Sequence, residues 1–172
     1  PRRVETLVPG DRLLTCERGY QPVRHMVRRE IPAIGWCAPV LMGAPALGLR
    51  RDLLVAPDYR FRLHTSEIEY LFGTDSVLIE ARHLATRAPD PAGQRALTVT
   101  YYQPILDRHD TIRIAGLWGE SLYVWRGSGY PDPLQGTVLE DIPPESLPRH
   151  GKTAGQVLRP HEAAVLLSEL SA

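Results

Sequence analysis

The stretch from Val99 to Gly116 constrains the fold more than any other part of this 172-residue chain. Val99 and Tyr101, then Ile112 and Ile114, are apolar or aromatic at alternate positions. A period of two marks a strand with one buried face, because successive side chains leave opposite faces of the pleat. The alternation breaks at Asp107-Arg108-His109-Asp110. The stretch therefore reads as two strands joined at a charged corner, with Gly116 ending the second. Similar alternation recurs at Tyr59, Phe61 and Leu63, with Arg60 and Arg62 between them, and at Ile68, Tyr70 and Phe72 before Gly73. Sixteen prolines and 14 glycines punctuate these runs and favour a turn-rich β protein over a helical bundle.

The remaining segments are consistent with that class. Residues 4–30 read as short strands turning at Gly10-Asp11 and at Gly19, and residues 31–50 as loop. Leu53-Leu54-Val55 is a buried-strand candidate, and residues 77–85 fit either a strand or a short helix. Ala88 to Gln94 reads as loop, 96–106 and 111–125 as strands, and 126–156 as a Pro/Gly-rich segment without periodicity. A helix is expected over 159–170. Pro160 suits its first turn, Glu162 complements its dipole, and Ala163, Leu166, Leu167 and Leu170 line one face. The division expected is a β domain over 1–125, with 126–172 packed on the same domain.

Twenty basic and 20 acidic residues cancel, so no global field steers the chain toward nucleic acid or a membrane surface. All basic residues but Lys152 are arginine, yet the pairs Arg2-Arg3, Arg28-Arg29 and Arg50-Arg51 are dispersed and not interleaved with aromatics. A nucleic-acid face is not expected. No apolar run is long enough to span a membrane, and Pro1-Arg2-Arg3 is no signal peptide, which leaves a cytoplasmic site by default. Cys16 and Cys37 lack a metal-type spacing and are expected unpaired, with Cys16 buried as a small hydrophobe. No cofactor or metal is expected: Asp107, His109 and Asp110 would need a further ligand, and only His83 offers itself. Trp118, Trp125, Tyr101 and Tyr102 read as core.

A resemblance emerges from several stretches in order. They are Val4-Glu5-Thr6-Leu7-Val8-Pro9-Gly10-Asp11, then Gln21-Pro22-Val23-Arg24 with Arg28-Arg29, then Arg51-Asp52-Leu53-Leu54-Val55 with Pro57 and Arg60. Glu80-Ala81-Arg82-His83-Leu84, Asp107-Arg108-His109-Asp110, Gly116 and Glu120-Ser121 follow. Together the chain resembles the Hint (hedgehog/intein) superfamily, and within it the bacterial Hint domains. The resemblance implies an all-β, compact, twisted, horseshoe-like fold, here with one C-terminal helix.

The resemblance also implies a chemistry. Hint domains attack the peptide bond at their own N-terminus with a Cys or Ser, helped by a histidine in a Ser/Thr-Pro-x-His turn that protonates the leaving nitrogen. No Cys or Ser precedes Val4 among these residues, so a nucleophile would lie upstream of Pro1. The turn reads Ala56-Pro57-Asp58-Tyr59, without the hydroxyl and without the imidazole. A phenol with an ordinary pKa near 10 is a poor proton shuttle at neutral pH. The first histidine of the later signature is replaced by Gln103, leaving His109. Splicing through a terminal Asn is not expected, since the chain holds no Asn.

Two function classes follow. One is a degenerate Hint domain without autoprocessing, serving as a structural or interaction module for a protein partner or a fused domain. The other is a self-cleaving domain whose nucleophile lies upstream. In either, His109, Tyr59 and Asp107 are the candidate site residues, although a histidine at such a corner is most often structural. A Ser121-His109-Asp107 hydrolase is disfavoured for want of a Gly-x-Ser-x-Gly elbow.

Overall fold

The computed structural model describes residues 2–85, 97–125 and 138–170. The Ala88–Gln94 loop and the first part of the 126–156 segment lie outside those residues. The order begins β1 (Arg12–Thr15), β2 (Gly19–Pro22), β3 (His25–Pro32), β4 (Val40–Met42), β5 (Leu53–Val55) and β6 (Arg60–Leu63). It continues through α1 (Ser66–Phe72), β7 (Val77–Glu80), α2 (Ala81–Leu84), β8 (Thr98–Ile105), β9 (Thr111–Ile114) and β10 (Leu117–Glu120). Then come β11 (Gln156–Val157) and α3 (Pro160–Glu169). The fold is all-β with a C-terminal helix, as expected.

Seven strands form one sheet in the order β11-β7-β6-β10-β9-β1-β2, and two ribbons, β3-β8 and β4-β5, complete the set. The charged corner at 107–110 is where the chain changes sheets. Before it, β8 runs in register with β3 from His25 opposite Ile105 to Pro32 opposite Thr98. After it, β9 pairs with β10 and touches β1. Backbone that leaves one ladder and enters another must satisfy its polar groups by other means. The corner does so with buried side chains, described below.

The largest core cluster brings Phe61, Ile68, Val77, Ile79 and Ala81 together with Leu158, Ala163 and Leu166 from the C-terminal segment. A second cluster joins Val27, Ile105 and Val124 to Leu139 and Leu147. The matching burial pattern of β6 bears out the alternation at 60–63: Phe61 and Leu63 point inward.

Four expectations need correction. Residues 66–72 are a helix, not a strand. Ile68, Leu71 and Phe72 pack on the core at helical spacing, while Tyr70, on the other side, is fully exposed. Gly73, at φ +65°, ends the helix and donates its N–H to Glu69. Residues 40–42 are strand, not loop, because buried Met42 seats them against β5. Cys16 is exposed. Burial along β1 falls on Leu13 and Thr15, which share a face, so the next residue is turned outward. Trp125 is 62% exposed, Trp118 lies half-buried under the Arg113 guanidinium, and Tyr101 and Tyr102 are half-buried outside the core clusters, so none of the four belongs to the core. Residues 77–85 resolve into both alternatives, β7 followed directly by α2. Both cysteines are free.

Candidate functional site

The Ala56–Tyr59 turn is fastened from three directions. Its own closure is Tyr59 N–H donating to Ala56 C=O at 3.0 Å. The first N–H groups of α2, which have no intrahelical partners, donate outward: Ala81 to Tyr59 C=O at 2.8 Å and Arg82 to Pro57 C=O at 2.9 Å. The Glu80–Leu84 stretch therefore has a physical task, to hold this turn. The Tyr59 hydroxyl donates to Glu120 C=O at 2.7 Å, and its ring meets Phe61 edge-on. Gly119 makes room, since a Cβ there would lie 2.6 Å from the Tyr59 oxygen. Burial, and after it the nearby Glu120 charge, push the phenol's ionisation well above the usual tyrosine value.

His109 is buried. Ala154 N–H donates to its Nδ1 at 2.9 Å, so Nδ1 is unprotonated and Nε2 carries the hydrogen. That Nε2–H donates to Ser121 C=O at 3.0 Å. Both ring nitrogens are thus committed to backbone groups. The Glu120 carboxylate stands 3.5 Å from Nε2 and 3.6 Å from Nη1 of Arg60. Thr111 faces Glu120 across the ladder. Glu120 Oε2, Arg60 Nε and Thr111 Oγ1 are buried and lack hydrogen-bond partners.

Tyr59 and His109 therefore both reach Glu120, one through its carbonyl and the other beside its carboxylate. Asp107 does not join them. It forms a two-pronged pair with Arg24 at 2.6 Å on the surface, with about half of each side chain exposed. The hydrogen bonds from Arg24 hold its carboxyl below the usual range. The acid built into the corner is Asp110, which accepts from Thr111 N–H at 2.7 Å and pairs with Arg18 at 2.9 Å. Ser121 presents its carbonyl to His109, while its hydroxyl accepts from Asp110 N–H at 3.3 Å, so no Ser-His contact of the nucleophilic kind exists. His83 sits on α2, and among the described residues no three His, Cys, Asp or Glu side chains gather as a metal set.

A cleft of about 1150 Å³ opens beside the site. Tyr59, Arg60, Gln103, Glu120 and Tyr123 line it, with Arg2 to Glu5 and Leu7 also on its wall. His109 and Asp107 do not. Burial pushes the Tyr101 phenol, on the same wall, up to about 12.

A family model described as Hint domain matches residues 1–126. The chain belongs to the Hint domain family. No curated protein and no solved structure gives a significant match.

The Hint match ends before two residues that complete the site, Ala154 and His150. His150 is a near copy of His109. Its Nδ1 accepts from Val124 N–H at 2.9 Å, and its Nε2–H donates to Leu106 C=O at 2.9 Å. The two rings stack with centroids 6.0 Å apart, and Tyr123 packs against both. Sequence reasoning missed His150, which stands in an aperiodic stretch where nothing marks it. It also gave Glu120 no role, although Glu120-Ser121 is one of the landmarks of the resemblance.

Proposed function

We propose that this Hint domain has lost autoprocessing and serves as a structural or interaction module for a protein partner or a fused domain of the same polypeptide. One observation carries the reading. At the position where the family places its acid-base histidine, half-buried Tyr59 packs on the main core with its hydroxyl bonded to the Glu120 carbonyl. A general acid contributes roughly 10²–10⁴-fold by moving a proton in the transition state. A phenol whose hydrogen is held by a backbone carbonyl, and whose ionisation burial opposes, does not do that at neutral pH. Ala56 removes the neighbouring hydroxyl as well, and the remaining His109 has both nitrogens engaged. Residues 126–172 belong to the same folding unit in this reading, which β11 on β7 and α3 in the main core support.

The test is a chain carrying its native upstream residues, including any Cys or Ser at the family's first position. Cleavage is followed on SDS gels over hours, with and without a thiol that traps a thioester. The expected result is little or no cleavage. Efficient cleavage by the unchanged sequence would restore the autoprocessing reading. Ala56→Thr with Tyr59→His asks whether the turn alone is at fault.

A further inference from the structure

Residues 148–155 run between two buried anchors, Leu147 and Leu158, and carry no ladder pairing of their own. What holds them is largely imidazole. His150 takes Val124 N–H on Nδ1 and gives Nε2–H to Leu106, and His109 takes Ala154 N–H on Nδ1. His150 N–H to Val124 C=O at 3.3 Å and the Tyr123 hydroxyl to His150 C=O at 3.2 Å add to the contact. Both Nδ1 bonds exist only for the neutral ring, because a proton on Nδ1 points one N–H at another.

We propose that residues 148–155 form a proton-operated latch: protonation of His150 detaches this segment from the Leu106–Val124 face while Leu147 and Leu158 hold, and so frees Nδ1 of His109. The latch stands whether or not the domain cleaves itself.

The charges around it set the direction. Burial holds His150 below the ordinary histidine value; the Leu106 bond and Asp107 act the other way, and His109 acts with burial. Asp107 is itself committed to Arg24. Around His109 stand Glu120 and, beyond it, Arg60. Arg149 and Lys152 on the segment are exposed. His25, which bonds Ser146 C=O through Nε2 at 3.0 Å, still donates when charged and is no part of the switch. With the closed form reluctant to take the proton, the open form takes it first. The latch is closed above the ordinary histidine range and loosens as pH falls through it.

Amide hydrogen exchange of the whole chain, at neutral pH and at about pH 5.5 and corrected for intrinsic rates, tests this. Protection of the Val124 and Ala154 amides is expected to fall by up to about tenfold per pH unit, the limit for one proton. The Leu158 amide, bonded to Leu78, and the Ala81 amide, bonded to Tyr59, are expected to hold. His150→Gln keeps one acceptor and one donor without a titrating proton, and the pH dependence at Val124 should vanish. Unchanged protection at Val124 and Ala154, or loss shared by Leu158 and Ala81, would overturn the latch. If His150→Gln does not fold, NMR of the unchanged chain decides. The Ala154 amide shift must follow the titration of the His150 ring, and titration without that movement also overturns it.

Discussion

The part of the chain that matches the Hint family and the segment after it are held by different means. Residues 2–85 and 97–125 are organised by ladders, with eight register pairs between β3 and β8 and four each in β1–β2, β6–β7 and β9–β10. Residues 138–170 contribute two ladder residues and one ten-residue helix. Otherwise they attach through side chains set against backbone groups or into the core, ion pairs of Glu140 and Asp141 with Arg29, and isolated backbone bonds such as Leu158 N–H to Leu78 C=O. The difference shows that the family pattern specifies the scaffold but leaves the 107–110 corner unfinished. The later segment supplies the N–H that His109 accepts and the imidazole that satisfies Leu106 and Val124.

If the later segment is integral, removing its core side chain should cost as much as removing one from the strands. Leu166→Ala empties a fully buried site in the main cluster and is expected to lower the unfolding free energy by about 2–5 kcal/mol. Urea denaturation compared with Phe61→Ala measures it. A midpoint unchanged by Leu166→Ala would make the segment an accessory.

The next largest effect concerns the polar attachment. His150→Ala leaves Val124 N–H and Leu106 C=O buried without partners, at roughly 1–3 kcal/mol for a stranded group. The same imidazole gives stability a pH trend. Its folded pKa lies below the ordinary value, so its contribution is complete above that value and is lost as pH falls toward the lowered one. Denaturation midpoints measured down the acid side should decline less in His150→Gln than in the unchanged protein.

These two regions were also unequally legible in the sequence. Alternation at Tyr59–Leu63 gave a strand because Phe61 and Leu63 share a buried face, whereas in 111–114 Thr111 and Ile112 are buried on opposite faces and only Ile112 and Ile114 carry the alternation. At 66–72 the pattern misled, since Ile68 and Phe72 fit a period of two as well as a spacing of four, and only the exposure of Tyr70 separates them. The helix at 160–169 was readable from Pro160, Glu162 and the apolar spacing; Glu162 accepts from Arg159 N–H at 2.7 Å as a cap should. His109 was found because charges crowd around it in sequence. Yet its partners are two backbone groups, which no side-chain pattern encodes, and Asp107 drew attention by adjacency alone while bonding elsewhere. His150 shares that property with only the basic Arg149 and Lys152 nearby and no acid beside it, and it went unseen.

Within the matched part, the packed and exposed ends of the proposed site separate in the same way. Tyr59→Phe removes the bond to Glu120 C=O while keeping the ring, and a loss of about 0.5–1.5 kcal/mol in unfolding free energy is expected. Arg24→Ala breaks the Asp107 pair on the open surface, where solvent screens the charges, and should shift the denaturation midpoint least of all the changes named. An Arg24 effect larger than that of Tyr59 would reverse the assignment of Asp107 to the periphery.

The central claim is that His109 is a fully committed, neutral imidazole rather than a free acid-base group. Nitrogen-15 NMR of the histidine rings at neutral pH tests it directly. The account predicts the tautomer with hydrogen on Nε2, and Nδ1 accepting from the Ala154 amide with a measurable coupling across that bond. Hydrogen on Nδ1, an imidazolium at neutral pH, or a ring exchanging between tautomers would contradict it.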